Sequence, residues 1–158
     1  MNQLIFLLLG LCLLIKSFGF DSDWEDEFDY ATYLDEDEQF RLYWTNLDDD
    51  IVDFGIEANA TGWIALGVSP NGQMPNSDIA FGWVDDTNGD VYLEDRYTEG
   101  RSTPLYDDKQ NLTLISGEEM NGWTRIRFER PMFSCDDDQD LSLSIGTSRY
   151  AQKKPNQL

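Results

Sequence analysis

The chain of 158 residues contains no histidine. That absence removes the Ser-His and Cys-His pairs on which most nucleophilic catalysis rests. It also removes the usual ligand of catalytic zinc and of type 2 copper. General acid–base work would fall to carboxylates, Tyr or Lys. Acids are so abundant that no pair of them stands out. Cysteine is nearly as scarce, with Cys12 and Cys135 alone. Cys12 lies inside an apolar run at 4–15, so the chain without that run keeps one thiol and no internal disulfide. Cys135 then implies a bond to another chain, a missing partner segment or a free thiol.

Long hydrophobic runs are also missing apart from 4–15. That run is too short to cross a bilayer as a helix and suits a signal h-region. Small residues Ser17 and Gly19 follow at the spacing a signal peptidase prefers. Residues 1–19 are therefore expected to be a cleaved signal peptide rather than an anchor. The product is expected to be secreted or lumenal, with no membrane span after cleavage. Basic residues are few, 11 against 31 acids, for a formal charge of −20. Such a chain is repelled by nucleic acid and by anionic membrane surfaces. It favours cations, basic partners or plain solubility.

Aromatics are plentiful at 13%, more than an acidic disordered chain carries. After an acidic leader at 20–29, the pattern has a period of two. Phe40, Leu42 and Trp44 alternate with Arg41, Tyr43 and Thr45, and Val52, Phe54, Ile56 and Ala58 with Asp53, Gly55 and Glu57. Residues 63–68 are nearly all apolar, as in a strand buried on both faces. Ile79, Phe81 and Trp83, then Val91, Leu93 and Asp95, then Ile126 and Phe128, then Leu141, Leu143 and Ile145 repeat the alternation. Leu112 and Leu114 precede a loop expected at 117–122. Asn71-Gly72, Asn88-Gly89 and Asn121-Gly122 mark turns, the second of them a tight hairpin. No helical periodicity interrupts. The expectation is one all-β domain at 30–150, an antiparallel β-sandwich of about eight to ten strands, with a tail at 151–158.

Few motifs carry chemistry. The acidic runs at 21–29, 35–38, 48–50 and 136–138 read best as solvated loops, with calcium as the sharper alternative. DDTNGD at 85–90 has neither the ligand alternation nor the flanking helices of an EF-hand. Asp78 opens an apolar strand, where a carboxylate either caps a loop or holds a cation. Asn59-Ala60-Thr61 and Asn111-Leu112-Thr113 are glycosylation sequons at expected turns or strand edges.

The stretch 62–86, GWIALGVSPNGQMPNSDIAFGWVDD, resembles the heart of a DOMON domain. DOMON domains are the extracytoplasmic β-sandwiches at the front of dopamine β-hydroxylase-like, copper-dependent monooxygenases. Residues 129–136, ERPMFSCD, are similar to the segment that ends the domain in that family. Together the motifs run from Phe28 to Gly146. The resemblance implies an immunoglobulin-like sandwich. It implies a cation site from Asp78, the carbonyls of Ile79 and Arg96, and Asn111 or nearby Asp108. It implies that Cys135 bonds to a residue outside the domain. In haem-binding relatives a Met near the position of Met74 works with a histidine, so haem is disfavoured here, and copper is not expected on this chain. The resemblance points to a secreted, non-catalytic module for protein interaction or ligand binding. Its partner is another protein, a small ligand, or catalytic domains carried elsewhere. Alternatives are a piece or short form of a copper-dependent monooxygenase hydroxylating a catechol-like amine, a haem- or sugar-binding sensor, and an acidic calcium-binding protein.

Overall fold

A strand with period-two alternation has one dry face, and two such faces bury each other when sheets stack. The computed structural model, which describes residues 24–48, 50–133, 141–143 and 152–153, shows this arrangement. The order is one 3-10 turn, Trp24–Asp26, then β1 Tyr30–Tyr33, β2 Phe40–Leu47, β3 Ile51–Ala58, β4 Trp63–Val68 and β5 Asp78–Val84. It continues with β6 Val91–Tyr97, β7 Leu105–Tyr106, β8 Thr113–Met120, β9 Trp123–Pro131 and β10 Gln152–Lys153. Among the described residues these form a large sheet, β10-β1-β2-β3-β9-β8, and a small one, β4-β5-β6-β7. Every pairing is antiparallel. The all-β sandwich expected from alternation is the observed fold.

Inward positions of the two sheets meet in one core of Val52, Phe54, Ile56, Ala58, Ile64, Ala80, Ile126 and Phe128. Phe54 and Phe128 are cross-strand partners and their rings lie 5.6 Å apart. The Asn88-Gly89 turn joins β5 to β6, with Gly89 at φ +77°, a conformation glycine takes without steric cost. Asp85 caps it by accepting from the Thr87 amide at 2.7 Å and the Thr87 hydroxyl at 2.5 Å. These bonds hold the Asp85 carboxyl below the usual carboxylate range.

Two local expectations change. The loop expected at 117–122 shrinks to the Asn121-Gly122 turn, because β8 runs through Gly117 to Met120. A Cβ at Gly117 would lie 2.6 Å from a Val91 methyl, so glycine there serves packing against the other sheet and marks no loop. The acidic leader also has an apolar half. Trp24 and Phe28 are buried, and with Tyr43 they form a second cluster on the outer face of the large sheet. They sit over Gly55, where a Cβ would lie 2.8 Å from the Trp24 ring and 2.9 Å from the Phe28 ring. The strand expected around Leu141 is described only at 141–143, with no strand assigned there, and Ile145 lies outside the described residues.

Candidate functional site

An acid at an inward position of a sandwich must find a partner, because an ionised carboxylate is costly to bury alone. Three acids near one end of this sandwich are buried: Asp78 and Asp95 in the small sheet, and Asp107 just after β7. Asp78 pairs in register with Tyr97, and Ala80 with Asp95. Asp78 and Asp95 therefore share the inner face of adjacent strands, one diagonal step apart.

Asp78 is 3% exposed and forms an ion pair with Arg130, itself 4% exposed, from β9 of the opposite sheet. Its Oδ2 also accepts the Leu141 amide at 3.1 Å, and Arg130 donates to the Leu141 carbonyl at 2.6 Å. The three residues close a ring across the mouth. Asp95 holds the segment after β7. Its Oδ2 accepts the Asn111 amide at 3.4 Å, and Gln110 donates to the carbonyls of Asp95 and Asp107 at 2.7 and 2.8 Å. Asp107 accepts the Lys109 amide at 2.8 Å. The loop between β4 and β5 is tied in by Thr98, whose amide donates to the Ser77 carbonyl at 2.9 Å and whose hydroxyl bonds the Met74 carbonyl.

The residues singled out from sequence fall out as follows. Asp78 begins β5 at the mouth. Ile79 and Arg96 are direct partners in the β5–β6 ladder. Asn111 is half-buried and bonded to Asp95. Asp108 is exposed, whereas its neighbour Asp107 turns inward. Met74 is 39% exposed in the loop. Asn59 is exposed in the turn after β3, and its side chain donates to Gln39 at 2.6 Å. Cys135 and residues 1–19 lie outside the described residues.

A calcium ion wants several oxygens converging on one point. Among the described residues, no three Asp, Glu, Cys or His side chains are grouped to hold a metal. The Asp78 carboxylate already faces a guanidinium, so a cation would have to displace Arg130. Beneath Asp78 and Arg130 lies a cavity of about 10 Å³ lined by Phe54, Leu66, Val68, Ala80, Leu112 and Phe128. That is about the room of one water. The mouth is organised to hold chain segments together.

Sequence reasoning missed Asp95, Asp107, Gln110 and Arg130. The signal for Asp95 was present, because it occupies the apolar phase of VYLEDRY behind Val91 and Leu93. An acid in a core phase marks a buried polar tie. Arg130 carried the same mark, two residues after Phe128 in β9.

The family model described as DOMON domain matches residues 36–151. The chain belongs to the DOMON domain family. Among curated proteins, the domain is 34% identical to "MOXD1 homolog 2" of Drosophila melanogaster, covering 81% of this chain and 17% of that protein. It is 31% identical to "Putative DBH-like monooxygenase protein 2" of Homo sapiens, covering 76% of this chain and 24% of that protein. The DOMON domain of the dopamine β-hydroxylase-like proteins is thus the part this chain matches, and the chain spans about a fifth of those relatives' length. Among solved structures, the cytochrome domain of Myriococcum thermophilum cellobiose dehydrogenase superposes with a TM-score of 0.52. It shares 21% sequence identity and covers 69% of this chain and 58% of that one, a likeness of fold. No helix among the described residues is long and apolar enough to cross a membrane.

Proposed function

We propose that this DOMON domain is a secreted module that binds and does not itself catalyse. The observation that carries the reading is the lack of any histidine in a domain whose buried mouth acids tie chain segments together. With those groups so engaged, what the fold offers a partner is surface. Residues 1–19 direct the chain into the secretory pathway, Asn59 and Asn111 accept glycans, and Cys135 bonds outside the domain.

Intact mass spectrometry of the protein secreted by its native cells, with and without reduction, tests this. The expected product starts near Phe20, carries glycan mass and shows Cys135 linked or capped. The same purified product, given copper, ascorbate and a catechol-like amine, should turn nothing over. Hydroxylation by this chain alone would overturn the reading.

A second reading is favoured by the curated relatives, several of which are named DBH-like monooxygenases and are several times longer. On that reading the domain is the front of a copper-dependent monooxygenase acting on a catechol-like amine, and its partners are the catalytic domains. A much larger native product containing the same peptides would favour it. The 10 Å³ cavity at the mouth has no room for haem or a sugar, and a Soret band in purified protein would support the haem reading.

A further inference from the structure

Strand β8 closes one edge of the large sheet, with β9 as its neighbour among the described residues. Its pairing slips between Leu114, opposite Phe128, and Ser116, opposite Arg127. Ile115 is the extra residue of a β-bulge, and a bulge re-aims the side chains beside it. The slip puts Ser116 on the outer face, in line with Glu118 two residues on. Ser116 is exposed, and its hydroxyl has no hydrogen-bond partner among the described residues. It lines an open groove of about 270 Å³ with Trp24, Glu27, Glu118, Arg125 and Arg127. Trp24 and Glu27 belong to the leader, so the groove lies between the leader and the sheet edge.

Two features of the groove point to one chemistry. The first is the setting of the serine. Ser116 alone among the chain's serines has a glutamate two residues on. On an extended chain that spacing sets hydroxyl and carboxylate side by side. A kinase with a basic pocket beside its acceptor site grips such a pair, and an edge strand offers it extended backbone. Glu118 pairs with Arg125, but its side chain stays 43% exposed, within a kinase's reach. The second feature is what would meet a phosphate. Arg127, the direct cross-strand partner of Ser116, donates from Nε and Nη2 to Asp53 at 3.1 and 2.7 Å, and from Nη1 to Glu27 at 2.6 Å. Asp53 is buried, whereas the Glu27 side chain is 39% exposed, so the Glu27 contact is the replaceable one. A phosphate carries a charge of about −1.5 to −2 and three acceptor oxygens. It outcompetes a carboxylate for a guanidinium and repels that carboxylate as well.

We infer that Ser116 is a phosphorylation site, and that its phosphate takes Arg127 from Glu27 and loosens the leader. The inference rests on the secreted-module reading, which places the chain where lumenal kinases act. The Ser116 oxygen attacks the terminal phosphorus of a nucleoside triphosphate held by the kinase. The new O–P bond forms as the bond from that phosphorus to the bridging oxygen breaks. The nucleoside diphosphate leaves with that electron pair, and the hydroxyl proton passes to the kinase's base. On the product, Arg125 and Arg127 hold the phosphate while Glu118 and Glu27 are pushed from it. Trp24 and Phe28 still sit over Gly55, and Glu25 still pairs with Arg41, so the leader loosens without leaving.

Peptide mass spectrometry of the chain secreted by its native cells, before and after phosphatase, tests the site. The expected product carries one phosphate on Ser116, absent in Ser116→Ala and reduced at least about tenfold in Glu118→Gln. Circular dichroism and melting confirm that both variants fold. Limited proteolysis within 21–29 reads the effect on the leader. Phosphatase should slow that cleavage by about two- to fivefold, the range that one exposed ion pair allows. Glu27→Gln should be cleaved at the fast rate with or without the phosphate, because the contact is already gone. A secreted, glycan-bearing chain with Ser116 unmodified would overturn the inference and leave the secreted-module reading intact. Glycan mass on the same product reports that reading separately. Phosphorylation indifferent to Glu118→Gln, or cleavage indifferent to phosphatase, would overturn the inference too.

Discussion

The Asp78–Arg130 pair joins the two sheets and the Leu141 segment at one point. Both side chains are out of water, so neither can be removed alone cheaply. Arg130→Met takes the guanidinium away from a buried carboxylate, and Asp78→Asn takes the carboxylate charge away from a buried guanidinium. Each should destabilise by about 3–5 kcal/mol in urea denaturation. Asp78→Leu with Arg130→Met should recover most of the loss, because well-packed apolar pairs often replace buried ion pairs without penalty. Equal loss in singles and double would show that the mouth does not depend on the pair. Asp85 offers a contrast at the surface. Its folded pKa lies below the ordinary value of 3.8 through the Thr87 bonds. A depressed carboxyl contributes stability that is present above its unfolded pKa and fades as pH falls through its folded one. NMR titration should find the Asp85 midpoint below 3.8, with the Thr87 amide moving in step. Thr87→Val should bring that midpoint back up. Tyr43 is shifted the other way, its phenol pushed up by burial and by Glu57, so it stays neutral through the same range.

Between elements, the most telling contact is the 3-10 turn over Gly55. Arg125 lies 4.9 Å over the Trp24 ring and Arg127 4.8 Å over Phe28. Arg127 is bridged to Asp53 and Glu27, and these bonds keep its pKa above the usual guanidinium value. Of the leader's acids, Glu27 pairs with Arg127 of β9 and Glu25 with Arg41 of β2, while its aromatics fill the slot that glycine leaves. Gly55→Ala should push the turn off and cost roughly 1–3 kcal/mol. Trp24→Ala and Gly55→Ala should be strongly non-additive, because both undo one contact. Proteolysis within 21–29 should quicken in either variant, and an unchanged cleavage rate in Gly55→Ala would mean the slot is not what holds the turn. The leader also shows where sequence stops being legible. Strands β2, β3, β5, β6 and β9 follow from alternation, because each has one face in the core, whereas β4 reads as buried on both faces and is instead an edge strand with Trp63 64% exposed. Trp24 and Phe28 lie in no periodic pattern, and their slot is made by a residue some 30 positions away. Gly117 misled for the same reason, since it is small to admit Val91 of the other sheet. In the mouth, Asp78 was legible as a strand-opening acid. Its partner Arg130 carried only a core-phase mark in β9, and nothing in the sequence tied it to Asp78, 52 positions back.

At the scale of the whole molecule, a formal charge of −20 sets the balance. Like charges across a compact domain repel, and the unfolded chain relieves that repulsion by expanding. Salt screens it, with a Debye length that falls from about 30 Å at 0.01 M to about 8 Å at 0.15 M. The melting temperature should therefore rise steadily with sodium chloride over that range. A cation bound at a built site behaves differently, since it adds stability that saturates with its own concentration. Calcium and magnesium carry the same charge and differ in the cage they demand, so they separate the two effects. With Asp78 held by Arg130, calcium and magnesium at equal ionic strength should raise the melting temperature alike, and Asp78→Asn should not change their difference. A calcium-specific rise of several degrees, lost in Asp78→Asn, would show that the ion displaces the arginine and that the mouth is a cation site after all.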